Sequence, residues 1–291
     1  MSAKSQAVII ALFAVYGLAC LFPILLVFVI SISDESAIQQ YGYSIFPASI
    51  NFNSYKFILS DITAVMRSYG VSSSVTIIGT LAGTLITALY AYPLSRPDFR
   101  YKRFFSFFVA FTMLFNGGLV PWYVTYVRIL GMKNTIWALI IPMLVNGFNV
   151  IILRTFCMNN VPFTLIESAK LDGAGEYQTF LKIVFPLLKP GLATVALFMS
   201  LAYWNDWYNA LLFIDSKKMF PLQYLMYQVN NSLDVLNTSS FVSDTAKLGY
   251  VRPSESARMA MAIFGIGPII LAYPFLQKYF VKGLTIGAVK G

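Results

Sequence analysis

The groups in this chain that could carry chemistry are few: 12 acids, 21 lysines and arginines, two cysteines and no histidine. Without imidazole there is no Ser-His or Cys-His dyad, no zinc-protease helix motif and no base tuned near neutral pH. A phosphate loop of the form G-x-x-x-x-G-K-[ST] is also missing. Cys20 and Cys157 show no ligand spacing, which argues against both a disulfide framework and a metal site. Asp34-Glu35 is a carboxylate pair in a polar stretch, where solvation is the ordinary outcome. An intramembrane aspartyl protease would need acids in two spans, and Asp206 alone falls inside one. The expectation is a chain with no catalytic residue, no metal and no cofactor of its own.

The charges do form one island. Glu167 to Pro190, ESAKLDGAGEYQTFLKIVFPLLKP, is rich in charged and small residues inside an otherwise apolar chain. Pro162 can open a short helix, Glu167 to Leu171 fit an amphipathic turn, and Gly173 permits a sharp change of direction. Beyond it Tyr177, Phe180, Leu181 and Val184 recur at i, i+3, i+4, i+7, one apolar helical face. The spacing predicts two short helices at an angle, ended by Pro186 and Pro190, that form a knob.

The elements that must position this knob are membrane spans. With 58% apolar and 11% charged residues, a soluble globule would expose large apolar surfaces, so most of the chain meets lipid. About 20 apolar residues cross the hydrocarbon as a helix. Six segments qualify, at about 7–30, 70–93, 104–127, 134–156, 190–213 and 259–281. The predicted fold is all-α and polytopic, a single transmembrane domain over 1–291 with both termini on one side. Gly117, Gly118 and Pro121 in the third span, and Gly265, Gly267, Pro268 and Pro274 in the sixth, interrupt straight helices. A wet cavity tolerates such breaks, and ordinary kinks explain them as well.

Positive charge near the span ends points to an N-in, C-in topology. Arg96, Arg100, Lys102, Arg103, Arg154 and Lys170 then lie inside, while the cations outside are nearly balanced by acids. The basic balance reports topology, not nucleic acid, and RPDFRYKR at 96–103 reads as an inner-leaflet anchor. Lys4 and the apolar run up to Cys20 imitate a secretion signal, but the run continues past Cys20, as a retained span does. The island falls in an inner loop at about 157–189, and long outer connections fall at about 31–69 and 214–258. Tyr224, Tyr227, Gln228, Asn230, Asn231 and Asn237 in the latter suit either a docking surface or a partly helical cover.

Glu167-Ser168-Ala169, Gly173 after three residues, then Ile183 and Pro186 resemble the E-A-A, x3, G, x9, I-x-L-P signature of permease subunits of bacterial ABC importers. Ser168 replaces the second Ala and Phe185 the Leu. The resemblance covers nearly the whole chain. Trp204-Asn205-Asp206-Trp207 and the ending Gly283 to Gly291 are similar to the second permease subunit of maltose-type carbohydrate importers, and Asn116 to Pro121, NGGLVP, to the LplC-like branch.

The resemblance implies the type I importer fold of six transmembrane helices and a multi-pass place in the bacterial plasma membrane. The function it implies is permease of a carbohydrate, oligosaccharide included, moved by alternating access. Implied partners are a second homologous permease, two copies of a cytoplasmic ABC ATPase that holds ATP and Mg, an extracytoplasmic solute-binding protein and membrane lipid. It also makes the knob a coupling helix seated in the ATPase, through Glu167, Ser168, Ala169, Leu171, Asp172, Gly173, Ala174, Ile183 and Pro186. Ala169, Gly173, Ala174 and Gly175 allow close approach, while Glu167, Asp172 and Glu176 accept charge-assisted hydrogen bonds. The tail is implied to contact the ATPase dimer interface.

For the sugar path, Trp204, Asn205, Asp206 and Trp207 fall roughly 21–26 Å along a helix counted from Pro190, near the outer mouth. The rings can stack on sugar, and the amide and carboxylate can bind hydroxyls. An interfacial aromatic belt with Asp206 paired across helices is the competing reading. Trp122, Tyr123, Asn146 and Asn149 are further candidates. Two rivals remain on residues alone. An ion-driven secondary transporter needs paired acids or a repeat, and a structural or receptor subunit leaves the island unexplained.

Overall fold

The computed structural model describes residues 3–238 and 255–266, and all its regular elements among them are helical. In chain order they are α1 (Ala3–Ser31), α2 (Glu35–Tyr41), α3 (Asn53–Ile58), α4 (Ile62–Ser95), α5 (Lys102–Leu114), α6 (Leu119–Val124) and α7 (Trp137–Ile140). There follow α8 (Gly147–Asn160), α9 (Phe163–Leu171), α10 (Glu176–Thr179), α11 (Phe185–Trp204), α12 (Tyr208–Phe213) and α13 (Leu222–Thr238). The last is α14 (255–266). The described residues form two compact units, 3–66 with 225–238 and 255–266, and 67–224.

In the first unit α1 is apolar beyond its first turn and exposes nearly every side chain from Ser5 to Val29, as a helix dissolved in lipid does. The loop behind it is ordered by carboxylates. Asp34 accepts from the Ser36 amide at 3.0 Å and starts α2. Glu35 is buried, against the expectation of a solvated pair. Its carboxylate accepts from the amides of Glu255 (3.0 Å) and Ser256 (3.1 Å) and from the Ser256 hydroxyl (2.7 Å). The open amides at the start of α14 therefore replace water around the charge.

The second unit is a helix bundle in which glycines let neighbouring helices approach closely. A Cβ on Gly79 would lie 2.5 Å from the Tyr203 ring, so α4 and α11 approach there as only glycine permits. Tyr203 is pinned in turn, its hydroxyl donating to the Ile140 carbonyl at 2.8 Å. Gly191 meets Phe156 and brings α11 onto α8.

Several expected span boundaries change. α4 is 34 residues long, so it starts well before residue 70. At 1.5 Å per residue it measures about 51 Å, more than the hydrocarbon needs. The third span, expected at 104–127, is bent by 114° between α5 and α6. Asn116 Oδ1 accepts from the Gly118 amide at 2.9 Å, and Gly118 has φ +85°, so an Asx turn breaks the helix there. The fourth, expected at 134–156, bends by 52° between the 137–143 helical run and α8. The fifth does not run over 190–213. A continuous helical stretch covers Glu176–Trp204 and stops there. Of the sixth, only the part up to 266 lies among the described residues. The outer loop expected at 214–258 is largely α13 where described, with Tyr224 buried against Phe220. The tail at Gly283 to Gly291 lies outside the described residues.

Candidate coupling site

The knob is built on α9. It buries Ile166 and Ala169 and leaves Glu167, Ser168, Leu171, Asp172 and Gly173 exposed. At its end the Gly173 amide donates to the Lys170 carbonyl (3.0 Å) and the Ala174 amide to the Ala169 carbonyl (2.9 Å). Those two bonds are the Schellman pair, and they require a left-handed residue, here Gly173 with φ +79°. A Cβ at Gly173 would meet nothing within 4 Å, so the constraint is conformational and not one of space. Leu171 (89% exposed) and Tyr177 (83%) stand on either side of the turn as an open apolar pair. Ala169, expected at the partner surface, instead packs inward.

Beyond the turn the expected apolar face is split. Phe180 and Val184 are buried, whereas Tyr177 and Leu181 are exposed. The cause is a π-turn over Phe180–Val184, closed by the Phe185 amide donating to the Phe180 carbonyl, which adds a residue and shifts the 3.6-residue phase. Pro186 and Pro190 end nothing. Pro186 lies in the first turn of α11, where no amide is missed, and Pro190 lies inside the helix. Ile183 is half-buried and Pro186 exposed.

Four charged side chains grip the turn from both sides. Arg96, just past the end of α4, is 8% exposed, so it is no lipid anchor. Its fork donates to Asp98 through Nε (2.8 Å) and Nη2 (2.5 Å). Nη1 donates to Glu176 and, at 3.1 Å, to the Tyr92 hydroxyl. Lys170 Nζ reaches Asp98 at 2.8 Å and Glu176 at 3.7 Å, closing a ring of alternating charge. The Arg96 guanidinium, with help from Lys170, holds the Asp98 carboxyl well below the usual carboxylate range. Hydrogen bonds to Asp98 and Glu176 push Arg96 further up. Lys170 ends α9 and Glu176 begins α10, each at the helix terminus its charge favours. A pocket of about 540 Å³ lies against the ring, lined also by Leu89, Phe99, Tyr177 and Phe180. Sequence reasoning missed Arg96 and Asp98 here. Their one local signal is an R-P-D spacing that suits a bidentate pair.

The residues expected on a sugar path are brought together only in part. Trp204 closes α11 and is buried, with Tyr69 at 6.3 Å. Asn205 is exposed and Asp206 lies in the break before α12. Both Asp206 oxygens accept from Asn209, from the amide at 3.2 Å and from Nδ2 at 2.7 Å, so its partner is local and not across helices. Trp122 and Tyr123 gather on Phe213 of α12, at 5.0 and 6.0 Å between centroids. Asn146 caps α8 through the Phe148 amide (2.9 Å), and Asn149 is buried.

This architecture has a close counterpart. It is similar to a crystal structure of a bacterial ABC transporter involved in the import of the acidic polysaccharide alginate. The TM-score is 0.78 at 30% identity, over 96% of this chain and 99% of that one. The class is therefore a multi-pass helical permease of an ABC importer, a transport subunit of the plasma membrane. Residues 76–286 match the pattern of the binding-protein-dependent transport system inner membrane components, and the chain belongs to that family. Protein LplC of Bacillus subtilis is 38% identical over 94% of this chain and 91% of its own. The polygalacturonan/rhamnogalacturonan transport system permease protein YtcP of the same organism is 36% identical over 95% and 94%.

Proposed function

We propose that this chain is one of two permeases of a carbohydrate importer, taking an oligosaccharide through the plasma membrane by alternating access. A relative named for polygalacturonan and rhamnogalacturonan transport, and a structural counterpart involved in alginate import, support that cargo. The Gly173 turn is the point at which work enters. The observation that carries this is the exposed Leu171–Tyr177 pair raised beside a Schellman turn, with Glu167, Ser168 and Asp172 open around it. Such a patch on a protruding, conformationally fixed turn suits insertion into a cleft of another protein.

In this reading the N-terminus and C-terminus face the cytoplasm, the chain is a single permease domain of six spans, and the turn seats in one of two ATPase copies. ATP and Mg belong to that ATPase, and the chain supplies no catalytic group. A second permease completes the path and an extracytoplasmic binding protein delivers the sugar. Asn146, Asn205 and Trp207, with the half-buried Trp122 and Tyr123, are the path candidates with open surface. The buried Trp204 and Asn149, and Asp206 bound to Asn209, belong to the framework.

The test is gentle purification of the tagged chain from native membranes, followed by identification of what accompanies it. An ATPase and a second permease are expected, with the ATPase lost when Leu171 and Tyr177 are both changed to Asp. A chain that comes alone, or keeps its ATPase in that variant, overturns the coupling role.

A further inference from the structure

The knob is joined to its chain neighbours by two links that are not regular α-helix. Before it, Val161 and Pro162 alone separate α8 from α9. After it stands the π-turn of residues 180–184, with Pro186 following. A body held at two such points can swing about the line between them. Burial of Ile166 and Ala169 resists separation, but apolar contact is non-directional and does little against sliding.

The charged ring supplies a third attachment, to a helix remote in sequence. Arg96 and Asp98 follow α4 directly, while Lys170 and Glu176 stand three residues before and three after Gly173. All three nitrogens of the Arg96 fork donate: Nε and Nη2 to Asp98, and Nη1 to Tyr92 and Glu176. The guanidinium carbon also lies 5.5 Å from the centroid of the Tyr92 ring, inside α4. A planar fork bound on several sides fixes direction as well as distance.

We propose that Arg96 is a positioning residue that locks the Gly173 turn to the C-terminal end of α4, so that a push on the turn moves α4 as part of the same body. This inference rests on the coupling role proposed above. It assigns a mechanical part to a residue outside the signature loop, and makes α4, not α11 alone, the helix that carries the stroke.

The test uses the complete importer in lipid nanodiscs or vesicles. Sugar moved per ATP hydrolysed is measured for the unaltered protein, Arg96→Ala and Arg96→Lys. A fold-wide defect lowers transport and stimulated hydrolysis together and leaves their ratio alone, whereas loss of the lock lowers the ratio. Arg96→Ala is expected to keep its ATPase and lower the ratio by about tenfold, within the range for residues that modulate coupling. Arg96→Lys keeps the charge without the fork and is expected to recover part of it.

Spin labels at Arg100→Cys and Gln178→Cys, in a background lacking Cys20 and Cys157, give a second readout. Their distance distribution is expected to be narrow with Arg96 and broad with Ala. If Arg96→Ala does not assemble, Glu176→Gln at the exposed side of the ring is expected to lower the ratio in the same direction. A variant that holds its ATPase with an unchanged ratio and a narrow distribution overturns the lock alone. An unaltered chain that holds no ATPase overturns the coupling role and the lock together.

Discussion

Two interruptions of the helical path, at Gly173 and at Asn205–Asp206–Trp207, solve the same problem in opposite ways. At Gly173 the backbone satisfies itself through the Schellman pair, and Leu171, Asp172 and Tyr177 beside it are left facing outward. At Asp206 the side chain serves the backbone, capping α12 through Asn209, while Trp204 is buried. A turn closed by its own backbone leaves its side chains available to a partner. One closed by side chains has already used them.

The largest effect expected from this contrast is at Gly173. An L-residue in the left-handed region is strained by about 1–2 kcal/mol, more if β-branched. Gly173→Val is therefore expected to abolish uptake and ATPase co-purification. Gly175→Ala, at an extended glycine with open space, leaves both intact. Equal behaviour of the two variants would remove the conformational argument.

Next comes the foot of the second interruption. Gly79→Ala drives a methyl into the pinned Tyr203 ring, and overpacking of this kind costs about 1–3 kcal/mol. A lower melting temperature in detergent, with Gly70→Ala unchanged where a Cβ meets nothing, checks it. Asp206→Ala removes the cap of α12, a loss of about 1 kcal/mol. It should lower the melting temperature slightly and leave KM for uptake unchanged. A raised KM with unaltered stability would turn the framework reading back into one of sugar contact.

The smallest effect is a null one with pH. Asp98 titrates below its ordinary value of 3.8 because Arg96 holds it ionised. A depressed carboxylate contributes its stability above the ordinary value and loses it only as pH falls through the folded value. Transport per ATP is accordingly expected to stay flat from pH 8 to about 5. A ratio that falls across that interval would show that the ring is held by something other than Asp98 and Arg96.

The helical membrane class and the turn were legible in the sequence because both depend on local facts. Apolar run length and a glycine flanked by charges at a fixed spacing need no tertiary partner. The ring was not legible, since Arg96 lies 74 residues from Lys170 and 80 from Glu176 and nothing local announces the pairing. Glu35 was misread for the same reason, its partners standing at 255 and 256. The prolines misled in another way. Pro186 and Pro190 read as helix ends by residue type, but Pro186 sits in the first turn of α11, where it forfeits no bond, and Pro190 lies inside that helix, so the fifth span starts earlier. The aromatic cluster was legible only in part, because residue type does not reveal burial: Trp204 and Trp207 are both tryptophan, and only the former is buried.

The π-turn sets an azimuth. One residue of helix corresponds to about 100° of rotation and 1.5 Å of rise. Everything on the α10 side of residues 180–184 is therefore turned around the helix axis relative to an uninterrupted α11. Spacing along the family signature from Gly173 to Pro186 thus counts chain, not face. Deleting a single residue there would preserve every side chain of the knob and aim it along a different bearing.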